Sequence, residues 1–338
     1  MAQIEVRGLT KVFRRPEKDP GLVGALKHLV TRRFRDTVAV RGLDLDIEAG
    51  EAVAYVGPNG AGKSTTVKLL CGILVPTSGQ VRVGGLVPHR DRVANARQIG
   101  VLFGQRSQLW WDLPVRESLG LLRDIYDLSP QDYRDQLERL DQVLELGDLL
   151  PVVARKLSLG QRMRADLAAA LLHRPRIVYL DEPTIGLDIA VKDRVRQLLR
   201  GLRADGTTLI LTTHDLGDIE DVCQRIVIID GGRALYDGPL QGVKDTFARE
   251  RRMHVQLADS GPEHAGVLAQ LLPEATVLAG EQPGEFVIQF DRFTLPAGRV
   301  IAAVTRHTEV VDLRIDEPGI EDVIRRVYSG ELSLADAP

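Results

Sequence analysis

GPNGAGKST, residues 57 to 65, fills each position of the phosphate-loop pattern G-x-x-x-x-G-K-[ST]. Its surroundings give the pattern physical meaning. Glu51 to Val56 reads as a short buried strand ahead of it, and Thr66 to Leu74 carries apolar residues at helical spacing behind it. Gly57, Gly60 and Gly62, with Asn59 and Ala61 between them, let the backbone curl until successive N–H groups converge on phosphate oxygens. The helix that follows adds the positive end of its dipole. Lys63 then reaches the β- and γ-phosphates, Ser64 offers a hydroxyl to a bound magnesium ion, and Thr65 closes the loop. The stretch predicts a site for ATP with Mg2+.

Four further segments narrow the kind of ATPase. LSLGQ stands at 157 to 161, ahead of an apolar helical run from Met163 to Leu172. IVYLDEP at 177 to 183 is a strand ending in two adjacent carboxylates, and GLD with Asp188 follows. His214 ends the apolar strand TLILTTH, and Gln105 ends IGVLFG. Any one of these is weak evidence. In this order and spacing the set resembles the ATP-binding cassette (ABC) family, over about the first 240 residues.

The resemblance implies roles. Asp181 would hold magnesium through water together with Ser64 and Gln105, and Glu182 would polarise the attacking water. Gln105 would also link the core to a helical subdomain, while His214 would hydrogen-bond the γ-phosphate. Ser158 lies just before a helix, so its hydroxyl and the helix N-terminus make a γ-phosphate site with Gly160 and Gln161. In the family this site acts on the ATP of a second cassette, bound head to tail, with Asp188 across the seam. Leu159 departs from the family, which usually has glycine there. An aromatic ring ahead of the loop stacks on adenine in such proteins; Phe34 has the expected spacing of about 29 residues from Lys63, whereas Phe13 is much earlier.

Composition agrees. A chain of 338 residues exceeds the usual single-domain size, so two domains are expected. No run of 18 apolar residues and no signal peptide is encoded, which predicts a soluble chain in the cytosol. Cys71 and Cys223 stand far apart, which suits a reducing compartment. A net charge of -3 gives no general attraction to nucleic acid, and none is expected as a partner.

The expected fold is α/β, a phosphate-loop nucleotide-binding domain over 1–242 with a mixed sheet core. Its helical subdomain covers about 113–174, with VRESLGLLRDIYDL and QDYRDQLERLDQVLELGDLL as helices punctuated by Pro130 and Pro151. Strands resume at Ile177, Thr207 and Arg225 in a βαβ rhythm, hence a parallel sheet. Residues 245–338 change character: strands and helices in the order βαββαβ, with a closing helix over 320–328, predict a small α+β ferredoxin-like domain serving as an accessory or dimerisation domain. An insertion at about 14–33 reads as a basic amphipathic helix on Leu22, Leu26, Leu29 and Val30, suited either to anionic headgroups or to packing on its own domain.

Over the whole chain the resemblance is to ATPase subunits of bacterial exporters of the second type, including drug, viologen and polysaccharide exporters. It implies an ATPase on the cytoplasmic face of the membrane, paired with itself or a closely related subunit and bound to separate transmembrane permease subunits. Trp110 and Trp111 would face those subunits. The alternative is a soluble relative acting on a ribosomal or nucleic-acid target; the ribosomal kind normally has two cassettes in one chain, and a DNA-repair kind would carry a long coiled coil between the phosphate loop and LSLGQ.

Overall fold

The computed structural model describes residues 2–16, 34–104, 106–213, 215–247, 250–259, 261, 263–280 and 282–316. The helices expected within 14–33 and at 320–328 lie outside these, as do Gln105 and His214. The chain forms two compact units, 1–238 and 239–338.

The first unit begins with a long hairpin, β1 (Ala2–Pro16) against β2 (Phe34–Glu48), followed by β3 (Ala52–Val56), which leads into the phosphate loop and α1 (Lys63–Leu70). Next come β4 (Ser78–Val83), α2 (Arg92–Gln98) and β5 (Ile99–Leu102). The helical part holds α3 (Val115–Ile125), α4 (Pro130–Leu144) and α5 (Leu159–Leu171). The core resumes with β6 (Ile177–Asp181), α6 (Ile189–Ala204), β7 (Thr208–Thr212), α7 (Leu216–Val222), β8 (Arg225–Asp230) and β9 (Arg233–Pro239).

Two sheets result. One is antiparallel, in the order β2-β1-β4; the other has the order β5-β6-β7-β3-β8-β9, with parallel pairing from β5 through to β8. β3 and β7 are buried at every residue, which is why neither alternates apolar with charged positions: a parallel strand covered on two faces has no solvent side to show. One core takes Ile4, Val6 and Leu43 from the antiparallel sheet, Leu69 and Leu70 from α1, and Tyr55, Tyr179 and Ile210 from the parallel sheet. α1 is thereby fixed behind the phosphate loop.

A second cluster, with Leu109, Val115, Leu119, Ala165 and Ala169, builds the helical part. α4 starts on Ser129, whose Oγ accepts the Asp132 N–H, with Pro130 at the first helical position. The helical pattern in the sequence runs on to residue 150, but α4 ends at Leu144. Glu145 is left-handed there, with φ 49°, and Asp141 Oδ1 accepts the N–H groups of Leu146 at 2.6 Å and Gly147 at 2.8 Å. A side-chain acceptor replaces the next turn's carbonyl.

The second unit contains α8 (Leu240–Phe247), β10 (Glu250–Leu257), α9 (Glu263–Leu271), β11 (Ala275–Ala279), β12 (Glu285–Asp291), α10 (Ala297–His307) and β13 (Val310–Asp316). Its sheet is antiparallel in the order β11-β12-β10-β13. Counting those strands from one to four, the order is 2-3-1-4, the split βαβ arrangement of ferredoxin-like folds. Met253, Val255, Ile288 and Phe290 pack there with Leu268, Val300 and Val304 of the helices.

The C-terminal end of α5 is pressed onto β5, since a Cβ at Gly100 would lie 2.3 Å from the Ala170 carbonyl oxygen. Gly100→Ala is expected to destabilise the protein by about 1–3 kcal/mol by forcing these elements apart. Gly120→Ala on α3, where a Cβ meets nothing within 4 Å, should be neutral or slightly stabilising. Urea unfolding midpoints of the two variants check this.

Candidate nucleotide site

Burial of β3 between β7 and β8 fixes where the phosphate loop starts. The chain must then turn with no room for side chains. A Cβ on Gly57 would lie 2.3 Å from the Ile229 carbonyl oxygen, and one on Gly62, at φ 109°, would lie 2.4 Å from that of Ala39. Asn59 and Gly60 are exposed at the loop's crest and Ala61 is buried beneath it. Lys63, Ser64 and Thr65 then form the first turn of α1.

Lys63 Nζ donates to the carbonyls of Gly57 and, at 3.1 Å, Pro58. The ammonium thus sits inside the curl, where the phosphates of a nucleotide would lie. Its pKa is lowered from the ordinary lysine value, chiefly by burial, against the opposing pull of Asp181 and Glu182. Those two carboxylates stand at the end of β6, separated from β3 by β7. Register explains their support: Asp181 pairs with Thr212, whose Oγ1 donates to Asp181 Oδ1 at 2.5 Å, and Thr213 Oγ1 donates to Glu182 Oε2 at 3.2 Å. Glu182 itself is left-handed, with φ 53°, a conformation that costs a non-glycine residue about 1 kcal/mol and clusters at functional sites. The Glu182 N–H donates to the Thr212 carbonyl at 2.8 Å, which helps hold it there. Sequence reading passed over Thr212 and Thr213; their signal is two hydroxyls ending the strand that leads to His214.

The exposed Ser64 hydroxyl and the Asp181 carboxylate are hard oxygen donors at the same end of the sheet, the donor chemistry that magnesium takes. Behind them a buried polar network ties the segment after Glu182 to α7. Thr184 Oγ1 donates to Asp218 Oδ2 at 2.6 Å, and Arg196 reaches Asp218 at 2.8 Å and Asp215 at 3.2 Å. Burial raises the pKa of Asp218, and the bonds from Thr184 and Arg196 oppose that rise.

Ser158 caps α5: its Oγ accepts the Gln161 N–H at 3.3 Å while Gln161 Oε1 accepts the Ser158 N–H at 2.9 Å, a reciprocal capping box. Asp188 caps α6 with a single bond, its Oδ1 accepting the Val191 N–H at 3.0 Å. The two loops touch. Gly160 faces the Gly186 carbonyl oxygen, 2.5 Å from where a Cβ would stand, and Leu159 lies over Gly186, its Cγ 2.8 Å from that residue's missing Cβ.

The aromatic candidates sit on the hairpin. Phe34 pairs with Pro16, is exposed, and carries the Arg14 guanidinium 4.4 Å over its ring. Phe13 pairs with Thr37, two residues from Ala39 where the hairpin meets Gly62. At roughly 3.4 Å per strand residue, Phe34 is about 17 Å along β2 from Ala39 and Thr37 about 7 Å.

A sequence model described as "ABC transporter" matches residues 40–185. A daunorubicin resistance ATP-binding protein of Streptomyces coeruleorubidus is 31% identical over 306 residues, spanning 90% of this chain and 96% of that protein. The chain belongs to the ABC transporter ATP-binding proteins. Other members fall in line: a Nod factor export ATP-binding protein I of Neorhizobium galegae is 36% identical over 62% of this chain and 60% of its own length. Among solved structures, the dimeric post-hydrolysis state of an ATP-binding cassette bound to ADP and Pi matches with a TM-score of 0.58 and 26% identity, covering 70% of this chain and 98% of that one. This ABC ATPase therefore has the nucleotide-binding fold that its phosphate loop implies, and no helix among the described residues is long and apolar enough to cross a membrane.

Bound triphosphate would favour the charged form of Lys63, so binding should take up a proton when the pH lies between the free and bound pKa values of that residue. ATP affinity is expected to fall as pH rises through the lowered free-state pKa, below the ordinary lysine value. Lys63→Arg should remove that dependence, because guanidinium does not titrate there. Calorimetric titrations across alkaline pH, in buffers of differing ionisation enthalpy, measure both.

Proposed function

We propose that this chain is the motor subunit of a membrane exporter, hydrolysing Mg2+-ATP to drive separate transmembrane permease subunits from the cytoplasmic face of the membrane. The observation that carries the reading is the loop of 57–65 closed around Lys63 beside the hydroxyl-braced pair Asp181 and Glu182. The printed names of the relatives, drug resistance and Nod factor export, support export. Alignment with the first of them extends over nine-tenths of the chain.

Phosphoryl transfer to water asks for charge neutralisation, a positioned nucleophile and little else. Lys63 supplies part of the first, and Ser64 and Gln105, with Asp181 through water, would hold a magnesium ion that would supply the rest. Glu182 orients and deprotonates the water, and His214 holds the γ-phosphate. In the sandwich, Ser158, Gly160 and Gln161 of one copy, or of a closely related subunit, close on the ATP held by the other, with Asp188 at the seam. The exposure of Ser158 at the N-terminus of α5 supports this role. For adenine, the hairpin register favours Phe13 over Phe34, since it stands nearer the loop. Trp110 and Trp111, both exposed, offer the permease subunits an aromatic surface. The ferredoxin-like unit serves assembly.

Glu182→Gln should keep ATP binding, cut turnover by about 100- to 10,000-fold and trap an ATP-bound dimer. Turnover assays and sedimentation test this, and wild-type hydrolysis would remove the base from Glu182. Sedimentation of the same variant ending at Gly242 tests the C-terminal unit: a dimer just as stable would rule out its assembly role.

Phe13→Ala is expected to weaken ATP binding by about tenfold, the loss of one stacking platform of 1–3 kcal/mol. Phe34→Ala should change it little. The reverse ranking of ATP dissociation constants would return the platform to Phe34.

A further inference from the structure

Asp166 stands on α5, eight residues after Ser158, and has no part in the nucleotide chemistry above. Only 5% of it is exposed, and a carboxylate there persists only if donors satisfy it. Its Oδ1 accepts from Ser107 Oγ at 2.8 Å and from the Gln108 N–H at 2.8 Å. Burial pushes its pKa up, while these donors and the nearby Arg162 pull it back. Gln108 also donates its side-chain amide to the Val101 carbonyl in β5. Residue 108 therefore bridges the parallel sheet and the helix headed by Ser158. Beyond it the segment continues tied: Ser107 Oγ accepts the Leu109 N–H and Ser118 Oγ the Trp110 N–H, both at 3.1 Å.

We propose that Asp166 is a positioning residue whose carboxylate locks the segment after Gln105, as far as the exposed Trp110 and Trp111, to the helix that presents Ser158. α5 meets β5 closely at Ala170, and Asp166 lies one turn nearer Ser158. Two fixed points set the direction of the helix axis where one would leave a pivot. From Asp166 the remaining two turns carry Ser158 about 12 Å further, so a small tilt at the clamp displaces the serine. The neighbouring core contacts of Ala165 and Ala169 are methyl-sized and non-directional, whereas the hydrogen bonds to Asp166 fix an angle. Movement at the tryptophan pair and movement of Ser158 are thereby coupled. This inference rests on the proposed role of Ser158 in a two-subunit sandwich.

The test uses the full chain with Asp166→Ala and with Asp166→Asn, which keeps the Oδ1 acceptor. Monomer ATP affinity, turnover per folded molecule at saturating ATP, and ATP-driven dimerisation in the Glu182→Gln background are measured. Asp166→Ala should leave monomer affinity unchanged, lower kcat by about 10- to 100-fold, the effect of slight misplacement, and weaken the dimer. Asp166→Asn should restore most of the turnover. If Glu182→Gln alone traps no dimer, the sandwich reading fails. If it traps one and Asp166→Ala keeps wild-type kcat, or loses kcat and monomer affinity by the same factor, the clamp alone is overturned. Should Asp166→Ala not fold, Ser107→Ala decides: it removes one donor and should give the same split on a smaller scale, and an unchanged kcat would overturn the proposal.

Discussion

No side chain can stand at Gly57 or Gly62, and the architecture of the nucleotide-facing unit depends on that constraint. The backbone there passes within contact distance of the Ile229 and Ala39 carbonyls, one from β8 and the other from β2. The loop is therefore gripped by the parallel sheet on one side and the antiparallel sheet on the other. Its N–H groups are aimed by the packing of the core and not by the ligand. Preorganisation of this kind is what makes electrostatic stabilisation effective, because the donors need no rearrangement as charge develops.

Much of this was legible in the sequence because the nucleotide chemistry is local in sequence. Strand, loop and helix around 57–65 follow one another without interruption, and β3, β6 and β7 announce themselves as largely apolar runs ending at candidate site residues. The βαββαβ rhythm of the second unit was legible as alternating strands and helices, and the order of its strands in the sheet came with the structure. What escaped notice depends on contacts between distant segments. The stop after Leu144 needs Asp141 to reach two N–H groups beyond it, which periodicity does not encode. Spacing from Lys63 points to Phe34, whereas nearness to the loop, which follows the register of a hairpin that contains the insertion, points to Phe13. Asp166 reads as one of several polar residues in the first half of its helix until Ser107 and Gln108 are placed against it.

Leu159 has a physical setting that its identity alone does not reveal. A branched side chain replaces the family's usual glycine, and it lies across Gly186, where the chain is left-handed and bare. Gly160 in turn lies against the Gly186 carbonyl. The start of the helix headed by Ser158 and the turn leading into Asp188 are consequently in contact within one subunit. A larger residue at 186 would separate them.

The internal hydrogen bonds of Lys63 bear on how the loop keeps its shape. The ammonium donates to the carbonyls of Gly57 and Pro58, so the curl carries an internal strut made of its own chain. The group that would meet a phosphate thereby also ties the end of the loop to its beginning, and stiffness and charge at this turn are supplied by one side chain.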